Sequence, residues 1–276
     1  MGAIITLTTD FGLADGYVAA MKGVALGINP GAQLVDISHT IPPQDVARAA
    51  FVLGTASPYF PPGTVHLVVV DPGVGTDRKA IILRTPEADF VAPDNGVLSD
   101  VVQQYLAGPA GSGRRKLKAA PGLEAFAVTE PRFWRSPMSR TFHGRDIFAP
   151  VAAHLSLGVP PSGFGEPVDS LVVLPLSRPS RSPDGTLTGS IRHIDSFGNL
   201  ITNIRSGDLP GRPGDITVEV GEKVIRGLRP TYGSGRGLIA LIGSSDYLEI
   251  ALKDGNAAAR LQVRSGDNVK IRKRNP

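Results

Sequence analysis

Four side chains with useful chemistry stand at points where an apolar run has just ended or a helical pattern is about to begin. Asp10 lies in Thr8-Thr9-Asp10-Phe11-Gly12, directly after the β-branched run Ile4 to Thr8. Asp71 and Arg78 open and close the loop Asp-Pro-Gly-Val-Gly-Thr-Asp-Arg, which follows the apolar run Val65 to Val70. His143 sits in Arg-Thr-Phe-His-Gly-Arg-Asp, residues 140–146, ahead of a helical pattern. In an open α/β sheet, small molecules bind beyond the carboxyl ends of the strands. A carboxylate there can accept two hydrogen bonds from a sugar diol, and it reads equally well as a turn or helix cap. An Asp71–Arg78 pair closing its own loop is more often structural than catalytic, and its strand-end position is what argues for a site. A histidine in a polar loop becomes a base or proton relay when a carboxylate stands beside it. No metal is expected, because His39, His66, His154 and His193 have no ligand spacing with His143.

The second half of the chain offers recognition groups more than reactive ones. Asp195, Phe197 and Asn199 fall in Ile-Asp-Ser-Phe-Gly-Asn-Leu-Ile-Thr-Asn, residues 194–203. An amide and an aromatic face are what a purine needs at its edge and its ring, and a β-turn tipped by Gly198 explains the same residues without function. Ser244, Ser245 and Tyr247 follow Gly243, and Asn256 and Ala257 follow Gly255, in turns able to present backbone groups to a small ligand. Pro93-Asp94-Asn95-Gly96 is sufficiently explained as a turn. The 71–78 loop lacks the third glycine of a dinucleotide-binding fingerprint, and Asp10-Phe11-Gly12 has none of the companion motifs of a kinase.

The elements that must hold these residues alternate in the first half. Strands are expected at 4–8, 33–37 and 65–70, with a hairpin pair at 80–84 and 89–92. Helices are expected at 16–26, 43–57 with Asp45 in the first turn, 98–105 and 147–157. This predicts an α/β fold with a mostly parallel central sheet over residues 1–176. Residues 177–186, polar and rich in Ser and Pro, read as a linker. Short strands at 187–195, 216–220, 223–225, 238–242, 248–251 and 268–272 then predict a smaller antiparallel β-barrel domain over 187–276.

Composition bounds the alternatives. The 276 residues are 41% hydrophobic and 20% charged, the balance of a globular chain with a full core. The absence of cysteine excludes disulfides, thiolate metal sites and a cysteine nucleophile. The N-terminal segment has no secretory pattern, and no apolar run approaches the roughly 18 residues of a membrane span, so a cytoplasmic location is expected. The net charge of +4 raises the question of nucleic acid. The basic clusters, Arg114 to Lys118 and Lys270 to Arg274, read as a solvated loop and terminus without interleaved aromatics, and no nucleic-acid partner is expected.

In order and spacing, TTDFG, DPGVGTDR, APDNG, TFHGRD, DSFGNLITN, GSSDYLEIA and GNAA resemble the S-adenosylmethionine hydroxide adenosyltransferases, relatives of the fluorinase and chlorinase, along nearly the whole chain. The resemblance implies an N-terminal α/β domain, a C-terminal β-barrel domain and a homotrimer with sites at subunit seams. It implies hydrolysis of S-adenosyl-L-methionine to adenosine and L-methionine, with no cofactor. Asp71, Arg78 and His143 then match the set that holds the attacking water, and Asp10 the acid on the ribose hydroxyls. Phe197, Asn199, Asn256 and Ala257 match adenine contacts, Asp195 the group near the methionine ammonium, and Ser244 the group near its carboxylate, with Ser245 and Tyr247 as weaker matches. The halogenating relatives carry Tyr-Ser or Tyr-Gly where this chain has His143-Gly144, and lack the acid found at Asp71. That difference favours water over halide. A halide-using transferase and a non-catalytic sensor of the same nucleoside are the competing readings.

Overall fold

The computed structural model describes residues 2–106, 113–117 and 122–274. The chain divides into two compact units, Met1–Leu176 and Ser177–Pro276.

The first unit is a mixed sheet between two helical layers. Its strands are β1 (Ile4–Thr9), β2 (Gln33–Ser38), β3 (Thr64–Val69), β4 (Ala80–Arg84), β5 (Ala88–Pro93) and β7 (Glu124–Ala127), with β6 (Gly113–Lys116) and β8 (Ser170–Val173) forming a separate antiparallel pair. The order is β2-β1-β3-β5-β4-β7. The pairs β1/β2, β1/β3 and β3/β5 are parallel, and β4 runs antiparallel to both β5 and β7. All six residues of β3 are buried, as its unbroken apolar run requires for a strand covered on both faces. Val65, Leu67 and Val69 pack toward Met21 and Ala25 of α1 (Tyr17–Ile28) and Val151 and Leu155 of α4 (Ala149–Ser156). Val68 faces Ala49 and Leu53 of α2 (Val46–Ala56) and Val101 and Val102 of α3 (Ser99–Tyr105). Each such Val or Leu contributes about 1.5–3 kcal/mol by leaving water.

The sequence expectation does not include β7, β8 or, in the second unit, the strand Leu200–Arg205, and other elements differ from what it places there. The helix expected from Pro43 begins at Val46, because Gln44 takes a left-handed φ of 66° and Asp45 is the cap, its carboxylate accepting the Arg48 N–H at 2.9 Å. The helix expected from Ile147 begins with a π-helical turn, Gly144–Phe148, that runs into α4. Arg114 to Lys116 form an edge strand against β8 where a solvated loop was expected, and Lys118 lies outside the described residues. Charged side chains are common on exposed edge strands, where they discourage pairing with a further chain.

The second unit is antiparallel throughout. Its strands are β9 (Ser180–Arg181), β10 (Leu187–Ile194), β11 (Leu200–Arg205), β12 (Ile216–Val220), β13 (Lys223–Arg226), β14 (Leu238–Ile242), β15 (Tyr247–Leu252) and β16 (Asn268–Lys273). The order β13-β12-β16-β10-β11-β15-β14 makes a nearly closed barrel-like sheet. β10 turns the corner: Leu187–Ser190 pair with β16, and from Ile191 onward the strand pairs with β11. Gly189 permits this, since an added Cβ would strike the side chains of Asn203 and Ile204. Residues 177–186 lie on this unit. β9 pairs with β10, and Asn203 Nδ2 donates to the Ser177 carbonyl at 2.9 Å. The strand expected at 268–272 is β16, so the basic residues read as a solvated terminus are carried on a strand paired with β10 and β12. A five-residue helix, α5 (Ala257–Leu261), follows Asn256, where a plain turn was expected.

Candidate active site

Three loops of the first unit converge. Arg78 Nε donates to both oxygens of Asp71 at 2.9 Å, and its Nη2 also bonds Asp71 Oδ2. The pair is largely shielded, with side-chain exposures of 5% for Asp71 and 10% for Arg78, and the guanidinium lies 5.1 Å over the buried Phe148 ring. Arg78 Nη2 then reaches His143 Nδ1 at 3.0 Å. A guanidinium has only donors, so Nδ1 accepts and the ring is neutral with its hydrogen on Nε2. Burial lowers the His143 pKa first and the Arg78 charge lowers it further, against opposing contributions from Asp71 and Asp146. The imidazole is therefore neutral at physiological pH.

Backbone geometry sets these positions. Asn95 Nδ2 donates to the Val70 carbonyl at 2.9 Å and so fixes the peptide entering Asp71. The turn read as purely structural thus anchors the candidate acid. Gly75, at φ 78°, brings the loop against 140–143, where a Cβ would lie 2.9 Å from the Arg140 carbonyl oxygen. Buried Asp146 organises the His143 loop by accepting from Ser139 N at 2.8 Å and from Arg145 Nε at 2.7 Å. Burial alone would raise its pKa, but the Arg145 and Ser139 bonds with the Arg145 and Arg135 charges hold it below the ordinary value. At Gly144 an added Cβ would lie 3.2 Å from Met21 Sδ and 3.4 Å from the Phe11 and Phe142 rings. That tight packing joins His143 to Asp10 through their neighbours in sequence. Phe11 and Phe142 meet edge to face at 5.9 Å. Asp10 Oδ2 accepts the N–H of Gln44 at 2.8 Å, so the left-handed turn ahead of α2 holds the acid in place.

In the second unit, Asp195 organises the β10–β11 turn. Its Oδ1 accepts from Phe197 N and Asn199 N at 2.9 Å each, and its Oδ2 from Asn199 Nδ2 at 3.0 Å. Ala258 N donates to the Gly198 carbonyl at 3.0 Å, bringing Asn256 and Ala257 beside this turn. Asn256 Oδ1 caps α5 through Ala259 N, and Ala257 is buried. Phe197 is 76% exposed. Asn199 lines a cleft of about 220 Å³ with Tyr232, Ile239, Ala251 and Asp254. Ser244 is exposed and Ser245 half-buried in the β14–β15 turn. Tyr247 is buried, and its hydroxyl accepts from Arg192 at 3.1 Å and Arg205 at 2.8 Å. The sequence reading missed Tyr232 and its partner Glu249 as site residues. Tyr232 stands in no quoted motif and Glu249 only as an unassigned position of GSSDYLEIA, and the fold brings them together across 17 positions. Among the described residues no cluster of three or more His, Asp and Glu is arranged to hold a metal ion.

The fold and these groups define a two-domain α/β and β-barrel protein built to act on a small polar molecule. A family model described as the SAM hydroxide adenosyltransferase N-terminal domain matches residues 5–165, and its C-terminal counterpart matches 189–270. The (R)-S-adenosyl-L-methionine hydrolase of Thermus thermophilus is 39% identical over 95% of this chain and 97% of its own. That of Salinispora arenicola is 38% identical over 97% of both. A fluorinase of Actinoplanes is a more distant relative, 30% identical over 75% of this chain and 73% of its own. A crystal structure of an uncharacterized conserved protein from Thermotoga maritima superposes with a TM-score of 0.85 at 38% identity, covering 97% of this chain and 99% of that one. The chain belongs to the SAM hydroxide adenosyltransferase family.

Proposed function

We propose that the protein hydrolyses S-adenosyl-L-methionine, in the (R) sulfonium form named in its relatives, to adenosine and L-methionine. The observation that carries this is the Asp71–Arg78–His143 cluster in a chain of this family. Water attacks C5′ opposite sulfur. The new C5′–O bond forms as C5′–S breaks, and the bonding pair leaves on sulfur as the neutral thioether of methionine. Such a leaving group needs no general acid, so the site has to place the water in line and accept its proton.

Arg78 sorts the roles. With Nδ1 accepting from Arg78, His143 offers an Nε2–H that donates to the water oxygen and orients it. Asp71 is the acceptor of the set, with lone-pair capacity left on the carboxylate oxygens that Arg78 engages. The proton passes to Asp71. The carboxylate and imidazole leave no welcoming position for a halide, which favours water at this site. Asp10 takes the ribose hydroxyls on the oxygen that Gln44 leaves unused. Asn199, Phe197 and the Asn256-Ala257 turn take the adenine, Asp195 the substrate ammonium, and Ser244 and Ser245 its carboxylate. Tyr247 supports that turn from beneath, its hydroxyl being engaged by two arginines. No cofactor or metal is invoked. Family resemblance supports a homotrimer with sites at its subunit seams, acting in the cytoplasm. Among the described residues, no helix is long and apolar enough to cross a membrane.

The test is incubation of purified protein with S-adenosylmethionine, with chloride present and absent, followed by chromatography. Adenosine and methionine formed at the same rate in both conditions are the expected result. A 5′-chloronucleoside contradicts the assignment at residues 71 and 143. Tight nucleoside binding without products makes the protein a sensor.

A further inference from the structure

Glu249 is a carboxylate in an unusual place. It lies on β15 with 6% exposure. Tyr232, a wall of the Asn199 cleft, donates its hydroxyl to Glu249 Oε1 at 2.6 Å. Its other oxygen, Oε2, lies so close to Gly243 that a Cβ there would approach it to 2.5 Å. One buried side chain therefore touches both the aromatic wall of the cleft and the turn that leads to Ser244. A buried carboxylate is costly, and a chain keeps one where its charge or its bonding is used.

We propose that Glu249 is a positioning residue for the substrate: it locks the Tyr232 ring as the cleft wall, backs the Gly243 turn, and joins Asp195 in a negative field that selects a cationic adenosyl ligand over a neutral one. The proposal rests on the S-adenosylmethionine reading above. The groups acting on Glu249 are Tyr232 from the turn before β14 and Asp195 from the β10–β11 turn, while Lys253 and Asp254, of opposite charge, line the same cleft beyond Tyr232. Burial raises the Glu249 pKa, the Tyr232 bond lowers it, and Asp195 raises it, with a net rise. Glu249 thus gains its charge at a higher pH than an ordinary glutamate does. Attraction for a sulfonium strengthens with that charge, while adenosine, which is uncharged, is indifferent to it.

The experiment measures binding of S-adenosylmethionine and of adenosine by titration calorimetry. It uses the full chain carrying Asp71→Ala to stop turnover, between about pH 5 and 8. In this background the affinity ratio of the cationic to the neutral ligand is expected to rise with pH. Adding Glu249→Gln, which keeps an acceptor for Tyr232, should weaken S-adenosylmethionine roughly tenfold at the upper end and leave adenosine within about twofold. It should also remove the Glu249 part of the pH dependence. Tyr232→Phe, which deletes the bond that lowers the Glu249 pKa, should move the midpoint of the rise to higher pH and weaken both ligands. Equal loss of both ligands in Glu249→Gln, or a pH dependence identical to the parent, overturns the proposal while leaving the hydrolase reading intact. If neither ligand binds the parent, the S-adenosylmethionine reading itself fails, and this proposal with it.

Discussion

At the residue scale, the contact between Arg78 and His143 Nδ1 has one polarity, because the guanidinium has nothing but donors. Protonating His143 requires giving up that contact and placing a second positive charge against Arg78. In the proposed mechanism the ring is therefore the orienting donor and Asp71 receives the proton. Gln can both accept from Arg78 and donate to water, so His143→Gln should keep about tenfold or more activity over His143→Ala. Asp71→Asn should lose about 10²–10⁴ in kcat. Equal activity of the Gln and Ala variants would mean that the imidazole itself takes the proton. Because the His143 pKa is lowered, the ring stays neutral to a lower pH than an ordinary imidazole does. Activity limited by this group should fall on the acid side with a midpoint below the ordinary 6.5, which a kcat–pH profile reads directly. The loop motifs made the residue types at 71, 78 and 143 legible in the sequence. The direction of the Arg78–His143 bond was not, since it depends on which ring nitrogen the 140–146 loop presents.

At the scale of elements, β3 shows how a continuous apolar run buries a strand, and also what that run conceals. His66 stands among the valines of β3, completely buried, stacked on Phe90 at 4.7 Å and bonded through Nδ1 to Thr6 Oγ1 at 2.8 Å. Burial lowers its pKa to about 4. The unfolded chain therefore binds a proton near its ordinary 6.5 that the folded chain refuses until about pH 4. Stability falls as pH drops through this window, by on the order of 3 kcal/mol for full titration. Urea denaturation across that range should show the loss, and His66→Phe should flatten it. An unchanged slope in the variant would assign the acid sensitivity to other groups. The strands and helices with strong apolar periodicity were readable from sequence within a few residues. β6 was hidden by its charges, since Gly-Arg-Arg-Lys carries no apolar alternation. The start of α2 was displaced by Gln44, whose left-handed turn serves Asp10. The π-turn at 144–148 was invisible because it arises from packing around Gly144, not from a local preference.

At the scale of the molecule, the chain supplies two kinds of chemistry in two units. The α/β unit carries the Asp71–Arg78–His143 cluster, to which the proposed mechanism gives the handling of water, and the β unit carries the cleft lined by Asn199 and Tyr232, with Glu249 behind Tyr232 and near enough to Asp195 for their charges to interact. That division suits a substrate with a reactive sulfonium carbon between a nucleoside and an amino acid. Ordered loop motifs made the division legible in the sequence, whereas Glu249 and Tyr232 acquire meaning only once β15 and the turn before β14 are adjacent. The central claim is that oxygen from water becomes bonded to C5′. Turnover of S-adenosylmethionine in water enriched in heavy oxygen, with mass analysis of both products, tests it most directly. The account predicts one heavy oxygen in adenosine, at the 5′ position, and none in methionine. Unlabelled adenosine, or label in methionine, would contradict attack by water at C5′.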